Sequence, residues 1–205
     1  YNKMLKCSHK FVAERIADRY HLPFAYKAAL IFGGIFPDCR PSCFLKPHTR
    51  ENWAEEIDNM VQQLKANRKH NIRYFLKAGT ILHMYADFFT YPHSDINIHY
   101  FKSGHAKWEK QLHKKLKNNF KFTDVSLMEA GKIDFKDIFN IYDIDVHSIE
   151  SDCSYISLAV SIICQRLGME QPRKDRLSER TVRIMKQYTT EELVKISMIS
   201  AKPEN

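Results

Sequence analysis

The segment Ile72-Arg-Tyr-Phe-Leu-Lys-Ala-Gly-Thr-Ile-Leu-His-Met-Tyr-Ala-Asp-Phe-Phe89 repeats its apolar positions at helical spacing. Phe75, Leu76, Gly79, Leu82, His83, Ala86 and Asp87 advance by three and four, so a helix over about 72–89 carries them on one inward-facing stripe. His83 and Asp87 share that face one turn apart. An imidazole and a carboxylate on a buried stripe need a partner there. Tyr91-Pro92-His93 breaks the helix, and a new one beginning near Ser103 or Gly104 repeats the spacing with His105 and Glu109. Each pair can grip one metal ion from a rigid support, and zinc accepts both neutral imidazole nitrogen and carboxylate oxygen.

Outward from this segment the pattern stays helical. Ser8 reads as an N-cap followed by a helix over about 9–20, which puts His9 at a helix start. Pro23 opens a second, apolar helix ending near Gly33 and Gly34, and the Phe36-Pro37-Asp38 turn presents Asp38 on a loop. An irregular loop from Pro41 to Pro47 leads to His48 at the entrance of a helix over about 51–67. Further helices are expected over 127–142, 149–167, 178–187 and 191–200, with nothing catalytic visible after Glu109. Six glycines, seven prolines and few valines in 205 residues favour helices over sheets. The expected fold is all-α, and without a repeat or Ser/Gly-rich linker residues 1–205 read as one compact multi-helix domain.

A net charge of +8 favours anionic partners: phosphates, nucleic acid or an anionic membrane surface. Lys102, Lys107, Lys110, Lys114, Lys115, Lys117 and Lys121 flank the His105 and Glu109 pair, although such a run also suits a solvated helix face. The longest apolar run, from Ala28 to Phe36, is too short for a transmembrane segment. Five cysteines at Cys7, Cys39, Cys43, Cys153 and Cys164 fit no zinc-ribbon or redox spacing, so a reduced, cytoplasmic setting is the simpler expectation. A secreted one follows if Tyr1 is a processed terminus. Cys39 and Cys43 adjoin Asp38, but oxygen and imidazole ligands already suffice there.

The candidate ligands in chain order are His9, Asp38, His48, His83, Asp87, His93, His105 and Glu109. Together with Ser8-His9, Gly33-Gly34-Ile35-Phe36-Pro37-Asp38, His83-x3-Asp87 and His105-x3-Glu109, this order resembles the zinc-dependent phospholipase C family. That all-helical fold also serves the single-strand-specific nucleases. The resemblance covers roughly the first half of the chain, and Glu at position 109 is more like the phospholipase branch, since the nucleases usually have Asp there.

The resemblance implies two or three Zn2+ ions. Asp38, His48, His83 and Asp87 would hold one, with Asp87 bridging to another; His93, His105 and Glu109 would hold a second. His9, Asp87 and the chain's amino terminus would hold a third. The family's secreted enzymes begin with a Trp that binds this metal, whereas here Tyr1 precedes His9 by eight residues. The implied activity is hydrolysis of a phospholipid or soluble phosphodiester, with Asp38 either orienting the attacking water or serving only as a ligand.

Three alternatives share the same cluster: a single-strand nuclease, a phosphomonoesterase, and a metal-binding protein without turnover. No lipid-binding sandwich domain is recognisable after the helices, which makes soluble phosphodiesters a better expected substrate than intact membranes. Tyr85, Phe88, Phe89, Tyr91 and Trp108 adjoin the ligands, either lining a pocket for a choline headgroup or stacked base or simply forming core. His21, His70, His99, His113 and His147 lack acidic partners at ligand spacing and read as surface or packing residues, with His99 nearest the pocket edge.

Overall fold

The computed structural model describes residues 5–39, 46–67, 69–93 and 104–169. Among them are eight α-helices and no strand: α1 Leu5–Arg19, α2 Phe24–Ile35, α3 Arg50–Ala66, α4 Ile72–Phe88, α5 His105–Asn119, α6 Leu127–Lys132, α7 Phe135–Ile144 and α8 Ile149–Leu167. The all-α expectation is met. The helices expected over 178–187 and 191–200, Cys43, His99 and the chain start lie outside the described residues.

The segment from Ile72 forms the central helix. Asn71 caps α4 by accepting the Tyr74 amide at 2.9 Å, and the helix packs against α1, α2, α3 and α8. Nearly every side chain from Ala78 to Phe88 is buried, so its His and Asp are enclosed by other helices. The closest pairing is with α2, where glycine is required. A Cβ on Gly33 would lie 2.0 Å from the Leu76 carbonyl oxygen, and one on Gly79 would lie 2.2 Å from that of Leu30. Helix axes this near bring the end of α2 into contact with the His83 face of α4.

Two expectations are corrected. Ser8 is not an N-cap: it lies within α1, already helical from Leu5, so His9 is inside the helix, and the Ser8 hydroxyl instead meets His113 Nδ1 at 3.1 Å on α5. Ser8 is a cap by residue type alone, and with its hydroxyl turned to His113 it marks no helix start. The single helix expected over 127–142 is two. Ser126 forms a capping box with Glu129 on α6, and Asp134 caps α7 by accepting the Lys136 amide at 2.9 Å. The 149–167 helix starts at the Ser148 cap and ends at Gly168 in the left-handed region, φ 65°.

Candidate metal centre

Five segments converge on the Asp87 end of α4. The end of α2 runs into a 3-10 turn, Pro37–Cys39, that carries Asp38. His48 immediately precedes Thr49, which caps α3 by accepting the Asn52 amide. Beyond α4, a second 3-10 turn, Tyr91–His93, brings His93 back toward Asp87. His105 and Glu109 stand one turn apart on α5, and His9 reaches in from α1, its ring stacked on His83 at 3.7 Å between centroids.

Asp38, His48, His83 and Asp87 each offer a ligand atom within 4.8 Å of all the others, and His93, His105 and Glu109 form a second such group. In the first, Asp87 Oδ2 lies 2.9 Å from His48 Nδ1 and 3.1 Å from His83 Nε2, and those nitrogens are 3.1 Å from each other. Asp38 Oδ1 stands 3.6 Å from His83 Nε2 and 3.8 Å from His48 Nδ1. In the second, His93 and His105 Nε2 atoms are 3.2 Å apart, His93 Nε2 is 3.5 Å from Glu109 Oε1, and His105 Nε2 also closes on that oxygen. The His93 ring spans the groups, its Nδ1 lying 4.0 Å from Asp87 Oδ2. His9 Nε2 approaches the other Asp87 oxygen, Oδ1, at 3.0 Å. All eight residues are thus brought to one centre. Cys39 belongs to neither group.

The donor set fits a metal ion better than a web of hydrogen bonds. His83 Nδ1 lies 2.8 Å from the Gly34 carbonyl, which can only accept, so Nδ1 carries a proton and a neutral ring presents its lone pair at Nε2. That lone pair faces the Asp87 carboxylate and His48. Only a second proton on the imidazole or a cation among them relieves this. Among the described residues, buried atoms that form no well-aligned hydrogen bond include Asp38 Oδ2, His48 Nε2, both Glu109 oxygens, and His9 Nε2 and Asp87 Oδ1 despite their closeness. Clustered orphans of this kind are rare unless they serve a ligand. A small cavity lined by Ser8, His9, Asp87, Thr90, Glu109 and Leu112 lies on the His9 side of Asp87.

Without a cation the charges pair internally. Burial opposes a charged His83, yet Asp87 beside it, with Asp38 and the Gly34 carbonyl, pushes it up to about 9. Burial likewise opposes the Asp87 carboxylate, but His93, His83 and His9 hold it well below the usual range. His93 is raised against its burial, first by Asp87, and Glu109 is lowered against its own by the close approach of His105 and His93.

A model of the zinc-dependent phospholipase C family matches residues 8–158. The chain belongs to that family. The match runs from Ser8 through all eight converging residues and on into α8. No curated protein and no solved structure matches the chain. Membership makes it a zinc-dependent hydrolase, and the two acid and imidazole groups are where this family member's zinc can be held. No helix among the described residues is long and apolar enough to cross a membrane.

For three of the neighbouring aromatics the core alternative holds, and one buried carboxylate escaped sequence reasoning. Tyr85, Phe88 and Phe89 are buried core: Tyr85 donates to Asp58 at 3.0 Å, and Phe89 stacks on Phe139 and Tyr155. They pack on α7 and α8, so the headgroup-pocket alternative does not hold for them. Tyr91 and Trp108 are half-buried, 5.1 Å apart between rings. Asp152, wholly buried on α8, accepts from the Tyr91 amide, Trp108 Nε1 and the Tyr142 hydroxyl. Burial raises its pKa while those bonds work the other way. His147 stacks on Tyr91 at 4.5 Å, a packing role as expected.

Proposed function

We propose that this chain hydrolyses a phosphodiester, a phospholipid or a soluble ester of the same kind, on a cluster of two or three zinc ions. Asp38, His48, His83 and Asp87 hold one zinc, His93, His105 and Glu109 hold a second, and His9 with the outer Asp87 oxygen marks a third. The observation that carries this reading is the approach of His48 Nδ1, His83 Nε2 and Asp87 Oδ2 to within 3.1 Å of one another, with the His83 proton committed elsewhere.

Bound zinc acidifies water to a hydroxide near neutral pH and neutralises charge on phosphoryl oxygens. The chain's own residues orient that chemistry. Asp38 turns Oδ1 toward the imidazoles, while its buried Oδ2 has no hydrogen-bond partner among the described residues. That oxygen is available to accept a proton from the attacking water. Asp87 presents one oxygen to His48 and His83 and the other to His9, so it couples adjacent positions. The family name supports a phospholipid substrate, and the chain's positive charge supports an anionic one.

The test sets a chromogenic phosphorylcholine ester beside single-stranded DNA, with zinc present and metal content measured. Cleavage of the ester is the expected result. Cleavage of DNA alone replaces it with the nuclease reading, and hydrolysis of neither by zinc-loaded protein leaves a metal-binding protein.

A further inference from the structure

Asp152 is 0% exposed, in the first turn of α8, and takes three donors from three other elements. Its Oδ2 accepts the Tyr91 backbone N–H at 2.9 Å and the Trp108 Nε1–H at 2.7 Å, while Oδ1 accepts the Tyr142 hydroxyl at 2.8 Å. Tyr91 opens the 3-10 turn that ends at His93, and Trp108 directly precedes Glu109 on α5. One oxygen atom therefore bonds both chain segments that supply the His93, His105 and Glu109 group. Those segments come from different parts of the fold: the turn continues α4, whereas α5 packs on α1 and α8.

We propose that Asp152 is the positioning residue of the His93, His105 and Glu109 corner, fixing the distance between the 91–93 turn and α5. The inference rests on reading that corner as a metal position. The chemistry suits the task. A carboxylate accepts three donors at once without offering a hydrogen of its own. Groups beyond the ligands that hold them in place tune metal affinity, and removing one typically costs about 10- to 100-fold. Asp152 acts one step further out, through the turn and the indole, and touches neither metal nor substrate.

Zinc titration of the metal-stripped full chain against a competing chelator tests this, with thermal midpoints recorded for each variant. Wild type is expected to bind at least two equivalents. In D152L the equivalent held by Asp38, His48, His83 and Asp87 stays tight, while the next weakens by about 10- to 100-fold. D152N restores most of that loss, because its amide oxygen accepts from Tyr91 and Trp108 while its NH2 meets the Tyr142 oxygen. Y142F lowers the thermal midpoint but leaves the second equivalent at its wild-type Kd, since it cuts only the branch that leads away from the corner. A merely structural role predicts the reverse: Y142F and D152L weakening zinc alike, or D152L binding both equivalents normally. Either overturns the proposal. Should D152L not fold, W108F severs the α5 half of the link, and an unchanged second equivalent there overturns it equally. Wild type binding fewer than two equivalents instead refutes the metal reading of the corner, a separate result.

Discussion

The Gly34 carbonyl oxygen accepts the Nδ1–H of His83 at 2.8 Å, and this bond between the end of α2 and the middle of α4 decides which nitrogen faces Asp87. It exists because the two helices approach more closely than any side chain would permit. A Cβ on Gly79 would lie 2.2 Å from one backbone oxygen and 2.7 Å from the Gly34 nitrogen, whereas a Cβ on Gly34 meets Ala13 at an ordinary 3.5 Å. Gly79→Ala and Gly33→Ala should therefore force the helices apart, at a cost of about 2–3 kcal/mol, and weaken zinc binding as the carbonyl withdraws. Gly34→Ala should keep the bond and gain up to about 1 kcal/mol from helix propensity. Urea unfolding with zinc titration on the three variants checks the contrast; equal losses would remove the close-approach argument.

Asp87 faces imidazoles on both of its oxygens. Its Oδ2 is near His48 and His83 and 4.0 Å from His93 Nδ1, and its Oδ1 is near His9. Asp87→Asn should lower zinc affinity at more than one equivalent, because the amide keeps one acceptor and loses the charge. His105→Ala removes a more exposed imidazole from one corner and should cost a single equivalent. Elemental analysis after dialysis distinguishes the two. Loss of just one equivalent in both variants would show that Asp87 does not bridge.

These residues were legible in sequence because helical periodicity alone puts His83 with Asp87 and His105 with Glu109 on shared faces. His9, Asp38, His48 and His93 each sit beside a turn signal or in a motif that a family resemblance can match. What stayed hidden depends on contacts made only in three dimensions. Asp152 lies 61 residues from Tyr91 and 44 from Trp108, so no spacing rule connects them. The misplaced start of α1 has the same origin: Ser8 looks like a cap locally, but its hydroxyl is taken by His113, 105 residues away. Phe89 adjoins the ligands in sequence, yet the helix turns it toward α7.

The pH dependence of stability should differ between stripped and zinc-loaded protein. In the stripped form His83 is raised from 6.5 to about 9, so its contribution is complete below pH 6.5 and is lost as pH rises through 9. Asp87 is lowered from 3.8, so its contribution is complete above that value and is lost on further acidification. Between about pH 4 and 6.5 both are present in full, which sets the stability maximum these two groups favour. Zinc requires neutral imidazoles and ionised carboxylates, so its binding releases protons and strengthens as pH rises. The gap in thermal midpoint between loaded and stripped protein should widen from pH 6 to pH 8. Thermal scans with zinc or with chelator measure it, and a gap that narrows would contradict the ion pairing described here.

Phe89 separates the core reading from the headgroup reading of the aromatics. It is 0% exposed, with its ring stacked on Phe139 at 4.8 Å and on Tyr155 at 5.8 Å. A residue in that position contributes through packing, so Phe89→Ala should cost about 3–5 kcal/mol in urea unfolding. Phe89→Leu keeps most of the volume and should cost far less. It also removes the aromatic face, which is what a quaternary ammonium group would need. If Phe89 contacted a choline headgroup, the leucine variant would raise KM for the phosphorylcholine ester at nearly unchanged stability. With the ring packed on α7 and α8, KM should instead stay at its wild-type value in Phe89→Leu.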